Sequence, residues 1–423
     1  MLPTVNSRQK VVRVLACGLI SLMLTASLWS RPVQALNDAQ QLVVESWKLV
    51  NQSYVSPERF ETIHWKRLRQ KALEGTIESS DQAYSAIETM LAPLGDPYTR
   101  LLRPDDYSTM KASNQGNLSG VGLQLAHGDK AGDVVVIAPL EGSPAAEAGV
   151  VSGTAILTVN GESTEGLGLE GTAAMLRGDA GTQVVLTLEP PSGSSEELTL
   201  ERRSVDLRPV RTRRLRRDDH TLGYLRITQF SDGVPEQVGE ALNELSDKGI
   251  EGLVLDLRNN SGGLVSAGLA VADTFLSGEP IVETRNRDGI ADPIQASQTT
   301  LYDGPMVTLV NGGTASASEI LAGALQDDGR SQLVGSRTFG KGLIQTLTNL
   351  SDGSGLAVTV AGYLTPSGRD IQGQGIEPDR LLDQPEPLNP GGDGDGWLTD
   401  AARIMESMLD RVETSEVPTT EVS

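Results

Sequence analysis

The sequence predicts an α/β multidomain protein, with a helical segment first, a small β-rich unit next and a largely parallel sheet in the longest part. Three observations support this fold class. Apolar residues recur at helical spacing up to about residue 94. Five or six short strands and two helices follow in about 85 residues. From Gly223 onward strands alternate with helices, which is typical of βαβ units. A chain of 423 residues has room for two to four such domains.

Residues 1–35 are predicted to be a signal peptide. Three basic residues precede Val14–Trp29, an uncharged stretch of 16 residues that is short for a membrane span. Cleavage after Ala35 would remove the only cysteine, Cys17, and with it any thiol or disulfide chemistry. Because Cys17 lies early in the apolar stretch and not after it, the position disfavours lipidation. We therefore expect an exported protein.

The net charge is −21, from 35 basic and 56 acidic residues. Removing residues 1–35 leaves 31 basic residues against 56 acidic ones, a net charge of −25. This balance disfavours nucleic acid or an anionic membrane as the main partner. The protein is expected to be peripheral to a membrane at most.

Residues 36–117 are predicted to form the helical domain. Asn37 is a plausible helix cap, and further helices are expected over Trp65–Leu73 and Asp81–Leu91. The polar stretch Ser108–Asn117 is predicted to be a linker to the next unit.

Residues 118–205 are predicted to be a separate unit. The expected elements are strands over Val134–Ile137, Ile156–Val159 and Val184–Leu188, and helices starting at Ser143 and over Leu169–Leu176. This order of elements resembles a PDZ domain, which binds an extended C-terminal peptide as an added strand and holds its carboxylate on backbone N–H groups.

The loop Gly120, Val121, Gly122 and Leu123 would be the carboxylate cradle of that PDZ domain, although a plain hairpin turn is the alternative for so short a motif. Arg177 ends the second predicted helix. It is either a cation facing the bound tail or the catalytic domain, or a solvated helix C-cap.

Residues 206–384 are predicted to be the α/β core. The buried strands Gly252–Leu257 and Met306–Val310 each run into a polar or glycine-rich loop, and such loops meet at the carboxyl edge of a parallel sheet. A phosphate-binding loop is disfavoured because no Lys-Ser/Thr pair follows these glycines. Gly355–Ala361 is expected to continue the sheet edge. Residues 385–423 are predicted to be a linker, a short helix over Trp397–Leu409 and a tail.

Ser316 lies where the second of these loops turns into a helix predicted over Ala317–Leu325. One interpretation is an N-cap serine with Glu319 closing a capping box. The other is a nucleophile, because unpaired N–H groups at the helix start can hold an oxyanion.

None of the three histidines, His64, His127 and His220, lies at a predicted strand end near Ser316, which disfavours a Ser-His-Asp triad. Lys341, between two glycines, can act as the base if burial keeps it neutral, whereas a loop lysine is ordinarily solvated. No cluster at metal-ligand spacing occurs, so no metal is expected.

Several segments together resemble the carboxyl-terminal processing peptidases. These are NGGTASASEI, TFGKGLIQ, DLRNNSGG, TPSGRDIQGQGIEPD and DPYTRLLRP, in family order. The resemblance implies a serine peptidase with a Ser–Lys dyad and a crotonase/Clp-protease-like core with an inserted PDZ domain. The segment LNDAQQLVVESWKLVNQSYV is similar to the cyanobacterial and chloroplast branch, which implies action in the thylakoid lumen on the precursor of the photosystem II reaction-centre protein D1.

The resemblance assigns the nucleophile to Ser316, the general base to Lys341 and the support of that lysine to Gln345. It assigns the oxyanion N–H groups to Gly262 and Ala317. It implies protein substrates with a free C-terminal tail, and no cofactor, metal, ATP or nucleic acid. The alternatives are a non-catalytic PDZ module that binds tails, a general periplasmic tail-specific protease, and a lipid- or retinoid-binding relative of the same core.

Four further residues in these segments bear on the assignment of the site. Ser318 is expected to point away from Ser316, and Asp327 matches an aspartate whose role is structural. Thr314 and Ser261 stand where the family often has serine and proline. Ser261 is expected to loosen the oxyanion turn.

Overall fold

A computed structural model describes residues 36–114, 117–128, 133–191, 193–206, 208–217, 220–291, 293–387, 390–392 and 394–416. The predicted signal peptide lies outside the described residues. The first part contains helices α1 (Asp38–Ser53), α2 (Arg59–Thr62), α3 (Trp65–Glu74) and α4 (Ser80–Leu91), a 3-10 turn (Ala92–Leu94), strand β1 (Arg100–Leu102) and helix α5 (Pro104–Asn114).

The cap of α1 follows directly from its sequence. The Asn37 side chain accepts a hydrogen bond from the Gln40 N–H at 2.8 Å, and the Gln40 side chain accepts one from the Asn37 N–H at 3.2 Å. The apolar faces of α1 and α4 then pack together, with Leu42, Val43 and Ile87 at most 2% exposed.

The linker predicted over Ser108–Asn117 was wrong, because α5 occupies most of it. Pro104 suits the first turn of a helix, and Asp105 and Asp106 complement the positive end of its dipole. These signals precede the polar stretch and extend a helix through it.

The second unit has the predicted order of elements. It comprises β2 (Asn117–Gly120), β3 (Leu123–His127), β4 (Val134–Pro139), α6 (Pro144–Glu147), β5 (Ala155–Val159), β6 (Glu162–Ser163), α7 (Thr164–Leu176), β7 (Gln183–Glu189), β8 (Glu196–Glu201) and β9 (Arg203–Asp206). Strands β3, β4, β5, β7 and β8 form one antiparallel sheet, and β2 pairs with β9 where the chain enters and leaves the unit.

The third part contains β10 (Val210–Arg217), β11 (His220–Ile227), α8 (Val234–Asp247), β12 (Gly252–Asp256), α9 (Val265–Asp273), β13 (Pro280–Asn286), β14 (Gly289–Ile290), β15 (Ile294–Gln295), β16 (Met306–Val310), α10 (Ala317–Asp327), β17 (Gln332–Gly335), β18 (Leu343–Asn349), β19 (Gly355–Leu364), β20 (Arg380–Leu381) and α11 (Gly396–Glu416).

A six-stranded sheet in the order β10-β11-β12-β16-β17-β20 forms its centre, and all pairs after β10–β11 are parallel. Helices α8, α9 and α10 cover one face and α11 covers the other. Both faces are therefore buried, which explains the continuous apolar runs of β12 and β16.

Strand β19 does not continue the edge of this sheet, so that prediction was wrong. It belongs to a second, antiparallel sheet in which it pairs with β1, β13 and β18. Since β1 comes from the helical segment, this sheet joins the N-terminal part to the core. Among the described residues, no helix has the length and apolar character needed to cross a bilayer.

Candidate active site

Two loops meet at the carboxyl ends of the parallel strands β12 and β16. Hydrogen bonds join them closely: the Ala315 N–H and the Ser318 Oγ both donate to the Asn260 carbonyl, each at 2.9 Å. The Thr314 hydroxyl donates to the Leu257 carbonyl at 2.9 Å. The loop before Ser316 and the loop before Gly262 therefore form one rigid unit.

Ser316 sits at a strained turn between β16 and α10. Its φ of 56° and ψ of −118° lie in a region that non-glycine residues rarely occupy. Tight bonding of the neighbouring loops holds this conformation, which leaves the Ser316 side chain partly exposed. Ser318, by contrast, is fully buried and bonded to a carbonyl, as expected of a residue that does not react.

The Glu319 carboxylate organises the site. It is fully buried and accepts hydrogen bonds from the N–H groups of Ser316 at 2.8 Å, Gly340 at 2.8 Å and Lys341 at 2.9 Å, and from the Thr338 hydroxyl at 2.6 Å. Burial raises the pKa of Glu319, although these four hydrogen bonds oppose the rise. One carboxylate thus ties the loop of the candidate nucleophile to the loop of the candidate base.

The capping and nucleophile interpretations of Ser316 are therefore compatible. Glu319 accepts the Ser316 N–H as a capping box requires, and the same carboxylate extends to the Lys341 loop. The Tyr363 hydroxyl adds a second link, lying 3.0 Å from the Ser316 carbonyl and 2.7 Å from the Lys341 carbonyl.

Lys341 is not solvated as a loop lysine usually is. Burial, helped by the nearby cation of Arg100, lowers its pKa to about 8, and Glu319 opposes the shift. The Nζ atom lies 5.3 Å from the centre of the Tyr98 ring. Arg100 and Tyr98 come from β1 and the turn before it, so the helical segment supplies part of the lysine's environment.

Ser316 and Lys341 line the same cavity, of about 340 Å³. Among the described residues, no hydrogen bond joins Ser316 Oγ to Lys341 Nζ, and none joins Gln345 to Lys341. Gln345 lies on β18, and its buried Nε2 has no hydrogen-bond partner among the described residues. Such contacts are often long in the absence of substrate and tighten in the reacting complex.

The candidate oxyanion groups lie beside Ser316. A Cβ placed on Gly262 would stand 2.9 Å from both the Ala317 nitrogen and the Ser316 Cβ, so only glycine fits this approach. Ala317 begins α10, where N–H groups have no intrahelical partner. The Gly262 N–H donates to the Asn260 side chain at 2.9 Å and would have to share or exchange that bond to hold an oxyanion.

A buried charge network underlies the Gly262 loop. Asp256 and Arg258 pair through two hydrogen bonds of 2.9 and 2.6 Å, and Arg226 lies 3.1 Å from Asp256. Burial alone would raise the pKa of Asp256, but Arg258 and Arg226 outweigh it and hold the pKa below its usual value. The sequence carries no signal for this network beyond the polar character of the loop.

The PDZ-like unit opens into the same cavity. Gly120, Val121, Gly122 and Leu123 line it together with Ser316 and Lys341. Further apolar lining comes from α7, namely Leu169, Ala173 and Leu176. The unit also packs on the loop before Ser316, because Ala126, Ile137 and Ala138 form one apolar cluster with Ala315.

Arg177 lies at the C-cap of α7 and also lines this cavity. Its Nη1 lies 3.3 Å from Asp106 Oδ1 on α5, so it pairs with the helical segment. The C-cap position was predicted, the pairing with the helical segment was not, and a role of Arg177 toward a bound tail stays a prediction. Among the described residues, no group of three or more His, Cys, Asp or Glu side chains is arranged to hold a metal ion.

Comparison with known proteins decides the family. Peptidase family S41 matches residues 221–382, and the PDZ domain family matches residues 135–190. A carboxyl-terminal-processing protease of Picosynechococcus sp. is 45% identical over 378 residues, covering 88% of this chain and 91% of the relative. The chain belongs to peptidase family S41. It is therefore a serine-type peptidase, and the predictions of an enzyme and of an α/β core with a PDZ domain are confirmed.

Two further relatives place this S41 peptidase more closely. The C-terminal processing peptidase of Tetradesmus obliquus, a chloroplast protein, is 41% identical over 372 residues, covering 84% of this chain and 80% of the relative. The solved structure of a photosystem II D1 C-terminal processing protease is 38% identical with a TM-score of 0.76, covering 88% of this chain and 98% of that chain. The domain boundaries and the roles of individual site residues stay predictions.

Proposed function

We propose that this S41 peptidase removes C-terminal tails from exported proteins with a Ser316–Lys341 dyad, and that its substrate is the precursor of the photosystem II D1 protein. The observation that carries the proposal is the cavity that Ser316 and Lys341 share with the PDZ loop of Gly120–Leu123. The substrate identity is supported by the names of the chloroplast relative and of the solved structure.

Tail capture is the first step. An extended substrate tail adds as a strand beside β3, and its terminal carboxylate is held on the N–H groups of the Gly120–Leu123 loop. Apolar residues of α7 contact the last side chains of the tail. Arg177 stays paired with Asp106 and contributes a cation to the same cavity. The upstream part of the tail then reaches Ser316.

Acyl transfer follows from the positions of the dyad. Ser316 Oγ attacks the scissile carbonyl carbon while neutral Lys341 Nζ takes the serine proton. The Gly262 and Ala317 N–H groups hold the oxyanion, each donor contributing about 3 to 4 kcal/mol as in comparable enzymes. Lys341 then gives the proton to the leaving amine. Water, deprotonated by Lys341, hydrolyses the acyl-enzyme.

Gln345 is proposed to orient Lys341. Its Nε2 is a buried donor without a partner among the described residues, which is costly unless a bond forms in the reacting complex. In that complex the amide oxygen of Gln345 would accept a hydrogen bond from a Lys341 N–H, which aims the lysine lone pair toward Ser316.

The proposal is tested by incubating the mature protein with a peptide that spans the C-terminal extension of the D1 precursor. We expect a single internal cut, identified by mass spectrometry. A scrambled peptide of the same composition is the control. Equal cutting of both peptides would indicate a general tail-specific protease, and no cutting of either would refute the proposal.

Amidation of the substrate tail is expected to lower kcat/KM by about tenfold to a hundredfold, because charge-assisted hydrogen bonds to the Gly120–Leu123 loop contribute about 1.5 to 3 kcal/mol. The measurement compares acid and amide forms of one tail peptide. A peptide amidated only on an internal glutamate serves as the control for lost charge. Equal rates for the acid and amide forms would remove carboxylate capture from the mechanism.

Export is proposed to end with cleavage after Ala35. N-terminal sequencing of the mature protein should therefore start at Leu36, with the protein in the thylakoid lumen or the periplasm. An intact N-terminus in the membrane fraction would contradict this expectation.

A further inference from the structure

The chain beyond the S41 match contacts the two loops of the candidate active site near the strand ends from which they start. That match ends at residue 382, yet Glu386 and Asp395 reach the loops that carry Ser316 and Gly262. Each carboxylate contacts a residue at the start of one loop, close to the end of the preceding strand.

Glu386 bonds to Asn311, the first residue after β16. The Asn311 side chain is fully buried, and its Oδ1 accepts from the N–H groups of Asn259 at 2.8 Å and Gly313 at 3.1 Å. Its Nδ2 donates to the Asn259 side chain at 2.8 Å and to Glu386 Oε1. Asn311 thus joins both loops, and Glu386 is its hydrogen-bond partner from outside the two loops.

Asp395 bonds to Arg258, which starts the other loop. Its two oxygens lie 3.1 and 2.6 Å from Arg258 Nη1 and Nη2, whereas Asp256 takes Nε and Nη2, so the two carboxylates share Nη2. Asp395 also accepts the N–H groups of Leu398 at 2.9 Å and Gly391 at 2.7 Å. The same carboxylate therefore caps α11 and fixes Arg258.

Helix α11 is itself firmly placed. Its apolar side packs on the central sheet, where Ala401 and Met405 are fully buried. Arg217 of β10 pairs with Glu406 at 3.0 Å. Asp395, at the start of α11, consequently approaches Arg258 from a rigid support.

The reacting groups are only a few residues away. Ser316 follows Asn311 by five residues, and Gly262 follows Arg258 by four. The two loops are hydrogen-bonded to each other between these points, so a shift at Asn311 or Arg258 is transmitted to both loops and displaces Ser316 relative to Lys341 on a third loop. Misplacement of about 1 Å can cost a hundredfold in rate.

We propose that Glu386 and Asp395 are positioning residues of the active site, Glu386 acting through Asn311 and Asp395 through Arg258. The proposal rests on the proposed Ser316–Lys341 function. It assigns a catalytic support role to a segment that otherwise looks like a linker and a packing helix.

Glu386 gives the cleaner test because it lies outside α11. Glu386→Ala removes the acceptor, whereas Glu386→Gln keeps an oxygen that can accept from Asn311 and removes only the charge. Asp400→Ala is the matched control, since Asp400 bonds to Gln384 and Arg403 within the same C-terminal segment. For each variant we would measure Tm, kcat and KM with a tail peptide, and the rate of inactivation by a serine-directed phosphonate.

We expect the folded Glu386→Ala protein to lose about tenfold or more in kcat and in phosphonate inactivation, with KM within about twofold. Glu386→Gln should recover most of the rate, and Asp400→Ala should match the wild type. A folded Glu386→Ala protein with kcat within about twofold of wild type would overturn the proposal. A wild type that neither cleaves the peptide nor reacts with the phosphonate would instead refute the proposed function.

A double-mutant cycle separates positioning from general packing. If Glu386 acts through Asn311, the loss in kcat for the Glu386→Ala/Asn311→Ala pair should be no larger than for Asn311→Ala alone. Additive losses would overturn the route through Asn311.

Asp395→Asn keeps an oxygen that can cap α11 but weakens the pair with Arg258. It should therefore lower kcat clearly while changing Tm little. A Tm loss with unchanged kcat in the folded fraction would remove Asp395 from the proposal.

Discussion

Replacing Ser316 with alanine should lower kcat for tail-peptide cleavage by at least about 10⁴-fold, because loss of a serine nucleophile leaves only binding and oxyanion stabilisation. The fold should survive. The hydrogen bonds that hold the turn use the backbone of Ser316, from its N–H to Glu319 and from Tyr363 to its carbonyl. The measurement is kcat with one tail peptide, together with Tm.

Ser318→Ala is the matched control for this substitution. It removes a buried hydrogen bond to the Asn260 carbonyl, which costs about 1 kcal/mol of stability, and it should retain most activity. An inactive Ser318→Ala protein beside a normally active Ser316→Ala protein would show that the nucleophile has been assigned to the wrong serine.

The strand–turn–helix around Ser316 could be predicted because a continuous apolar run, two glycines and an alanine-rich stretch are local signals. The PDZ domain could be predicted for the same reason, from the order of its short elements. What the local pattern missed is how Ser316 and Glu319 are used. A capping box and a nucleophile turn looked like competing interpretations, but the buried Glu319 carboxylate serves both by reaching a loop more than twenty residues away.

The environment of Lys341 depends on contacts that are distant in sequence. Glycines on both sides suggested close packing, but its neighbours Tyr98 and Arg100 precede it by more than 240 residues. The error after Tyr107 has a local cause, since Pro104, Asp105 and Asp106 favour the start of α5. The error over β19 follows from the same limit as Lys341, because this strand pairs with β1 of the helical segment. Periodicity alone carries no information on such partners.

Burial of Lys341 lowers the free energy of unfolding at neutral pH, because the fold disfavours the charged lysine. Its pKa falls from 10.5 in the unfolded chain to about 8 in the fold, so between these pH values the unfolded chain binds more protons and stability rises with pH. Below pH 8 the full penalty is present, about 3 kcal/mol from a shift worth about 1.4 kcal/mol per unit. The penalty disappears only above pH 10.5.

Lys341→Met should therefore be inactive yet more stable than the wild type at pH 7, with the difference in unfolding free energy shrinking as pH rises from 8 to 10.5. Lys341→Arg, which stays protonated, should be inactive without this gain. Denaturant unfolding at several pH values measures the difference. A Lys341→Met protein that is less stable than wild type at pH 7 would mean that the lysine charge is not penalised in the fold.

The pH dependence of cleavage should follow the ionisation of Lys341. Because only neutral Lys341 can accept the Ser316 proton, kcat/KM should rise about tenfold per pH unit below the lysine pKa and level off above it. Burial sets that pKa at about 8, so the plateau should start between pH 8 and 9 and activity should fall as a lumen acidifies. The tail carboxylate, with an ordinary pKa of about 3.5, does not titrate in this range.

Inactivation by a serine-directed phosphonate, which needs no protonation of a leaving amine, should report the same pKa. A flat kcat/KM profile from about pH 5 to 10, under conditions where chemistry limits the rate, would rule out Lys341 as the base.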